Sequence, residues 1–395
     1  MATVLVTDGE QRSALAVVRS LGRAGHRVLV ASSHARPLAG ASRWSAASLT
    51  VPDPLHDPEA FRAAITAAVL SQSVSVVVPI TEAAHLALLP ARHRLEPAVL
   101  AAGSFESFAR AADKALVLQL AASLGIAVPR QVAIDALPPS GRLDTGTLRF
   151  PVVVKPSRSV GEADGLRQKL GVRHAEDAAR LRDIVAALPR AAFPVLVQER
   201  IVGPGLGIFV LRWQGRTVAR FAHRRLREKP PSGGVSVLSE SVPGEPELLA
   251  DAEALLAALN WEGVAMVEFK RDAATGRHYL MEINGRFWGS LQLAIDAGVD
   301  FPRLLVEAAL GGAPRESLTW RSGLRSRWFW GDLDHLLVRL IRSSSVLDLP
   351  PGSPGRAGAL LHFLGWRPWR ERDAVFRLSD PMPFLRESIE WMRAL

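Results

Sequence analysis

The chain has 395 residues, more than a single core usually serves, so two or three domains are expected. It contains no cysteine, which excludes disulfides, thiolate metal sites and cysteine nucleophiles. Its net charge of +9 is spread without a Lys/Arg block or a nucleic-acid motif, no apolar run is long enough to span a membrane, and the start, with Asp8 and Glu10, does not read as a signal peptide, so a cytoplasmic protein without a nucleic-acid partner is expected.

Residues 3–7 read as a buried strand, Asp8-Gly9 as a turn, and residues 11–24 as a helix with Ala14, Leu15, Val18 and Leu21 on one face. Gly25 ends that helix, 26–30 is a second strand, 58–70 a helix and 74–80 a third strand. This alternation predicts a parallel sheet covered by helices. The first turn lacks Gly-x-Gly-x-x-Gly, so a dinucleotide site is not indicated. Ligands on such sheets sit at the carboxyl ends of the strands, where Asp8, Gly9, Thr81 and Glu82 fall.

A helix is expected from Asp113-Lys114 onward, then a Pro/Gly-rich loop over 135–147 and a strand over 150–156 carrying Lys155. Only five of the 48 basic residues are lysines, so each one invites a reason for a compact ammonium. Lys155 precedes the small-residue loop 157–165, whose backbone N–H groups, with Ser157 and Ser159, could approach phosphates. A helix over 175–187 and a strand over 195–199 follow, and the strand exits at Gln198-Glu199-Arg200-Ile201. Such an exit leaves free backbone groups for a base edge, though by itself it is an ordinary strand end. Strands over 208–213, 217–223 and 234–241 make this part α+β and mostly antiparallel. The basic run Arg224, Arg225, Arg227, Lys229 beside Pro230-Pro231-Ser232-Gly233-Gly234 reads equally as a solvated face or as a mobile lid over 225–237.

The densest signal is a hairpin. Residues 264–269 and 278–284 are strands around a turn centred on Thr275, which sets Glu268 opposite Glu282 with Asn284 on the same face as Glu282. Opposed carboxylates destabilise a sheet. Hard oxygen ligands so placed suit Mg²⁺, or Mn²⁺, held together with phosphates, and the alternative is a solvated hairpin face. Arg286, two residues beyond Asn284, could hold a carboxylate or the charge that develops on it.

After residue 315 the composition changes: six of the ten tryptophans (Trp320, Trp328, Trp330, Trp366, Trp369, Trp391) lie there. Residues 328–342 predict an amphipathic helix and 343–357 a Pro/Gly/Ser-rich linker. Packing on the core or a homodimer contact is favoured over a membrane-surface helix.

Taken in order, these motifs resemble the ATP-grasp superfamily. Asp113-Lys114 and Val154-Lys155-Pro156 look like its two nucleotide lysines, Gln198 to Gly203 like its adenine hinge, and Glu268, Glu282-Ile283-Asn284 and Arg286 like its magnesium and acyl-phosphate site. The stretch 284–290, with the Arg224–Ser241 loop, is most similar to the carboxylate–amine ligase branch related to carbamoyl-phosphate synthetase. The resemblance covers residues 1–312 and implies a Rossmann-like domain (1–112), an ATP-grasp domain (113–315, with a lid subdomain near 148–200) and a C-terminal extension (316–395). It implies ATP and Mg²⁺ as cofactors and small-molecule carboxylate and amine substrates. The implied nucleotide contacts are Lys114, Lys155, Ser157, Ser159, Gln198, Glu199, Arg200 and Ile201. Glu268, Glu282 and Asn284 are the implied metal ligands, with Arg286 and Arg224 as catalytic cations. Three positions depart from the pattern. Arg200 stands where relatives often have an aromatic residue, Gly205-Leu206-Gly207 stands where a ribose-binding acid is common, and Met266 replaces the arginine of D-alanine–D-alanine ligase-like members.

Overall fold

In the computed structural model, residues 1–394 are described apart from 138–142, 164, 165, 232, 344–346, 348, 350, 351 and 366–368. Asp164 and Gly165 of the expected phosphate loop, Ser232 of the expected lid, and Trp366 therefore lie outside the described residues, as do parts of the two predicted loops 135–147 and 343–357.

The first hundred residues build a five-stranded parallel sheet. Its order is Ser45–Thr50, Arg27–Ser32, Thr3–Val6, Val76–Val78, Val99–Leu100. The central strands are valine- and leucine-rich because helices cover both faces and no solvent side remains. The helix Arg12–Arg23 stops at Gly25, whose φ of 86° turns the chain back into the sheet. The edge strand Ser45–Thr50 is made of small polar residues and alanine with the single large apolar residue Leu49, so no periodicity announced it.

A four-stranded antiparallel sheet follows, in the order Arg173–Ala175, Val152–Pro156, Val195–Glu199, Gln131–Ile134. Leu181, Ile184 and Val185 of the helix Ala178–Ala186 seal Val152, Val154, Val195 and Val197, and Asp177 caps that helix through the Arg180 N–H. The segment expected as a free loop forms a small hairpin instead, Val160–Ala163 against Leu166–Lys169.

The third sheet has seven strands, in the order His278–Asn284, Gly263–Arg271, Gly205–Trp213, Arg216–Lys229, Val235–Ser241, Arg325–Arg327, Glu371–Asp373. All its pairings are antiparallel except the last. The expected lid over 225–237 is corrected here. Residues 225–229 continue an interior strand, because each basic side chain finds a buried or half-buried acid: Arg225 on Glu268, Arg227 on Asp332, Lys229 on Asp334. The C-terminal extension is likewise not a loose appendage. It contributes the last two strands and the helix Phe329–Ile341, and Asp380 reaches back to Arg19 of the first helix at 2.8 Å. No described helix is long and apolar enough to cross a membrane.

Candidate active site

The hairpin register places Glu268 directly opposite Glu282, and Met266 opposite Asn284. Asp272 closes the turn by accepting from the Ala274 and Thr275 N–H groups. Asn284 Nδ2 donates to Glu282 Oε1 at 2.9 Å, so the acid pair and the amide share one face. Cations gather around this charge. Lys114 Nζ lies 3.6 Å from Glu282 Oε2, and Arg225 binds Glu268 while also donating to Glu228 at 3.0 Å.

The two acids respond differently. Burial pushes Glu282 up, but the Lys114 and Lys155 ammoniums, the Asn284 amide and Arg225 outweigh it and hold the carboxyl below its ordinary range. Burial also raises Glu268, and there Arg225 is opposed by the neighbouring Glu282 and Glu228, so it stays above the ordinary range. Lys155, half-buried on its strand, is lowered by desolvation, against the pull of Glu282 and Glu268. Two opposed carboxylates, one of them under-neutralised, are a donor set that a divalent cation fits. Asn284 turns Oδ1 toward Arg286 at 3.3 Å, and an amide flip would present that oxygen to a cation instead.

Lys114 opens the helix Lys114–Ser123, whose N-terminus Asp113 caps through the Ala115 and Leu116 N–H groups. That segment is tied to the strand after Lys155: the Lys114 N–H donates to Ser157 O at 2.9 Å, Ser157 Oγ donates to Asp113, and Lys114 Nζ donates to Ser159 Oγ at 3.0 Å. Lys114, Ser159, Asn284 and Arg286 then line one cleft together with Glu82, from the carboxyl end of the parallel sheet. Burial raises the Glu82 carboxyl, against the attraction of Lys114 and Arg286.

The hinge residues are placed less uniformly. Gln198 is buried inside the four-stranded sheet and donates to Gln131. Glu199 accepts from the Arg149 N–H at 3.0 Å, and the Arg200 N–H donates to Pro151 O at 3.3 Å, with half-buried Ile201 following. Arg224 departs from its expected role. Adjacent residues in a strand face opposite ways, so Arg224 points to the far side of the sheet, where Glu240 holds it at 2.8 Å. Arg225 is the cation that reaches Glu268, and only the strand register, invisible in a run of arginines, distinguishes the two. Arg225 and Glu82 were both missed as site residues; Glu82 carried a signal in its place at a strand's carboxyl end.

A family model described as "ATP-grasp in the biosynthetic pathway with Ter operon" matches residues 192–331. A curated relative, N5-carboxyaminoimidazole ribonucleotide synthase of Mycobacterium leprae, is 33% identical over 106 residues, 25% of this chain and 23% of that protein. The match thus spans about a quarter of the relative's length. Among solved structures, the L-amino acid ligase of Bacillus licheniformis superposes with a TM-score of 0.62 at 17% identity, covering 80% of this chain and 75% of that one. Biotin carboxylase of Campylobacter jejuni gives 0.63 at 17%, covering 82% and 74%. N5-carboxyaminoimidazole synthetase of Staphylococcus aureus gives 0.62 at 14%, covering 82% and 80%. The chain has the ATP-grasp fold, with a parallel-sheet N-terminal unit and mixed α/β architecture, and residues 192–331 match an ATP-grasp family.

Proposed function

We propose that this protein is an ADP-forming ligase that activates a small-molecule carboxylate as an acyl phosphate and joins it to an amine. The observation that carries the reading is the Glu268–Glu282 pair, opposed in register, ringed by Lys114, Lys155 and Arg225, and followed by Arg286 on the adjoining loop. A buried arrangement so rich in opposed charge is costly unless a polyanion and a cation complete it. Magnesium, held by Glu268, Glu282 and Asn284, would supply the charge neutralisation that phosphoryl transfer needs.

In this reading Lys114 and Lys155 approach the nucleotide phosphates from two sides, one from the helix opening the ATP-grasp domain and one from the four-stranded sheet. The hairpin 160–169, next to Ser159, closes over them. The backbone at Glu199 to Ile201 takes the adenine edge. Arg286 meets the substrate carboxylate and steadies the charge that grows on it, an electrostatic role that requires no proton transfer. The amine then attacks the acyl carbon and phosphate leaves. The parallels with L-amino acid ligase, biotin carboxylase and N5-carboxyaminoimidazole synthetase support the reaction class and leave the two substrates to experiment.

The test is ADP release measured across a matrix of carboxylates and amines, with products identified by mass spectrometry. The expected result is ADP formation that requires both partners and yields an amide. ADP formation that is indifferent to amine and yields a stable phosphorylated product would replace the ligase by a kinase.

A further inference from the structure

One face of the large sheet runs in a continuous row away from the metal pair. Glu282 is opposite Glu268, Glu268 opposite Gly207, and Gly207 opposite His223. Residues so paired project from the same face. Gly207 is the close-packed point of this row: a Cβ there would stand 2.9 Å from His223 Nε2 and 2.7 Å from Phe209, which fill the space. His223 Nε2 is buried and has no partner, while Nδ1 meets Ser290 Oγ at 3.3 Å. Two strand spacings separate His223 from Glu268, about 10 Å.

The row ends at an unusual cation. Ser290 follows Gly289, and a Cβ on Gly289 would stand 3.0 Å from Arg12 Nη2. Arg12 opens the first helix, at the carboxyl end of the first parallel strand, where ligands of such sheets collect. Its guanidinium carbon stands over the face of Trp328, 3.9 Å from the ring centre. Among the described residues it pairs with no carboxylate within salt-bridge distance and donates to no acceptor. The acids that face it are otherwise engaged. Glu387 accepts from Trp328 Nε1 at 2.8 Å, and Asp373 accepts from the Phe329, Val375 and Phe376 N–H groups. A planar cation held by an aromatic plate, with its N–H edge unsatisfied, has the geometry for bidentate recognition of a carboxylate.

We infer that Arg12, stacked on Trp328, is a recognition subsite for a second anionic group of the substrate, whose other end is the carboxylate activated at Glu268 and Glu282; the loop that carries Arg286 meets Arg12 at Gly289 and so joins the two ends. The substrate class is an acid bearing two separated anionic groups. This inference rests on the ligase reading for the identity of the activated end. Its particular feature is that one half of the subsite, Trp328, comes from the C-terminal extension and the other half from the N-terminal sheet.

The experiment is a binding measurement, so that it does not depend on turnover. Calorimetry with full-length protein, magnesium and the non-hydrolysable nucleotide AMP-PNP compares α,ω-dicarboxylates from succinate to sebacate with monocarboxylates of equal length. The expected result is a length optimum at which the dicarboxylate binds roughly tenfold or more tightly than its monocarboxylate counterpart. Arg12→Ala is expected to bring that ratio near one while AMP-PNP affinity stays unchanged. Gly289→Ala, which pushes a methyl group against the guanidinium without altering the buried core, is expected to reduce it, and carries the test if Arg12→Ala does not fold. Absence of a dicarboxylate preference in the wild type, or its persistence in these variants, overturns the subsite. A preference that depends on Arg12 in a protein that releases no ADP with any acid and amine retains the subsite and removes the ligase reading.

Discussion

At the scale of single residues, the metal pair offers the sharpest contrast, because its two carboxylates stand on opposite sides of their ordinary range. Glu282 is held low by Lys114, Lys155 and Asn284 despite burial, so its ionised form stabilises the fold at neutral pH, and that contribution is lost as pH falls through its depressed value. Glu268 is held high by burial, so its ionised form costs stability at neutral pH. Glu282→Gln is therefore expected to lower the melting temperature, and Glu268→Gln to leave it unchanged or raise it. Both are expected to abolish magnesium-dependent turnover, and wild-type turnover in either would remove the metal assignment. Lys114→Met and Lys155→Met should each weaken nucleotide binding by about 1.5–3 kcal/mol, roughly tenfold or more, as read by calorimetry. A second pH effect lies away from the acids. Burial pushes His85, stacked on Phe108 with ring centres 4.9 Å apart, down to about 4. The unfolded chain then takes up the proton first on acidification, and His85 should cost about 2 kcal/mol of stability between pH 6.5 and 5. Asp8, raised by burial to about 6, acts with the opposite sign over nearly the same window, so the wild-type profile mixes the two. The informative comparison is His85→Gln against wild type: on going from pH 7 to 5 the stability of the variant should change more favourably than that of the wild type, by about 2 kcal/mol, and equal changes would show that His85 is not held neutral.

At the scale of elements, the basic run on Arg216–Lys229 teaches the most. Charge and the following prolines and glycines suggested a lid, but the strand lies between Gly205–Trp213 and Val235–Ser241, and Arg225, Arg227 and Lys229 are consumed by acids on two other elements. Those acids lie 43 to 105 residues away in sequence, so no local pattern could have announced them. The Glu268–Glu282 opposition was legible because a hairpin is local: turn chemistry and period-two alternation fix register within twenty residues. Lys114 and Lys155 were legible by type and order, whereas Arg225 over Arg224 required the register of a sheet assembled from distant strands. The mobile element is now expected to be the two-stranded hairpin Val160–Ala163 with Leu166–Lys169, which has only one ladder. Hydrogen exchange should show protection arising over this hairpin on addition of Mg-ATP, while 225–229 exchanges slowly with and without nucleotide. The reverse pattern would restore the lid to the basic strand. Gly161 marks where the hairpin seats, since a Cβ there would stand 2.3 Å from Ala191 O, and Gly161→Ala is expected to unseat it and raise the KM for ATP several-fold.

At the scale of the whole molecule, the extension after residue 315 behaves as a clamp that joins the first domain to the far edge of the large sheet. Its composition indicated packing, since tryptophan buries much area and its N–H seeks a partner, and three of the described indoles follow that logic, Trp328 on Glu387, Trp330 on Ser388 and Trp391 on Asp334, whereas Trp369 is exposed. The composition could not indicate where the clamp attaches, because its anchors are single charged residues that join distant parts of the fold. Asp332 is fully buried and receives both Arg227 and Arg327. Asp380 is buried against Arg19, with side chains exposed by only 2% each, and also accepts from Ser42 Oγ and the Arg43 N–H. These contacts hold Asp380 below its ordinary range despite burial, so the charge is fully formed at neutral pH. Removing one member of such a pair strands the other in a dry interior, which costs about 3–5 kcal/mol. Asp380→Ala is therefore expected to lose that amount in chemical denaturation, and Arg19→Met combined with Asp380→Leu to recover much of it, because an apolar pair of similar volume strands no charge. The first helix that carries Arg19 also carries Arg12, so loosening the clamp should disturb the Arg12–Trp328 stack as well as the fold. A single-site variant with unchanged denaturation would mean that Asp380 closes the surface without joining the two domains.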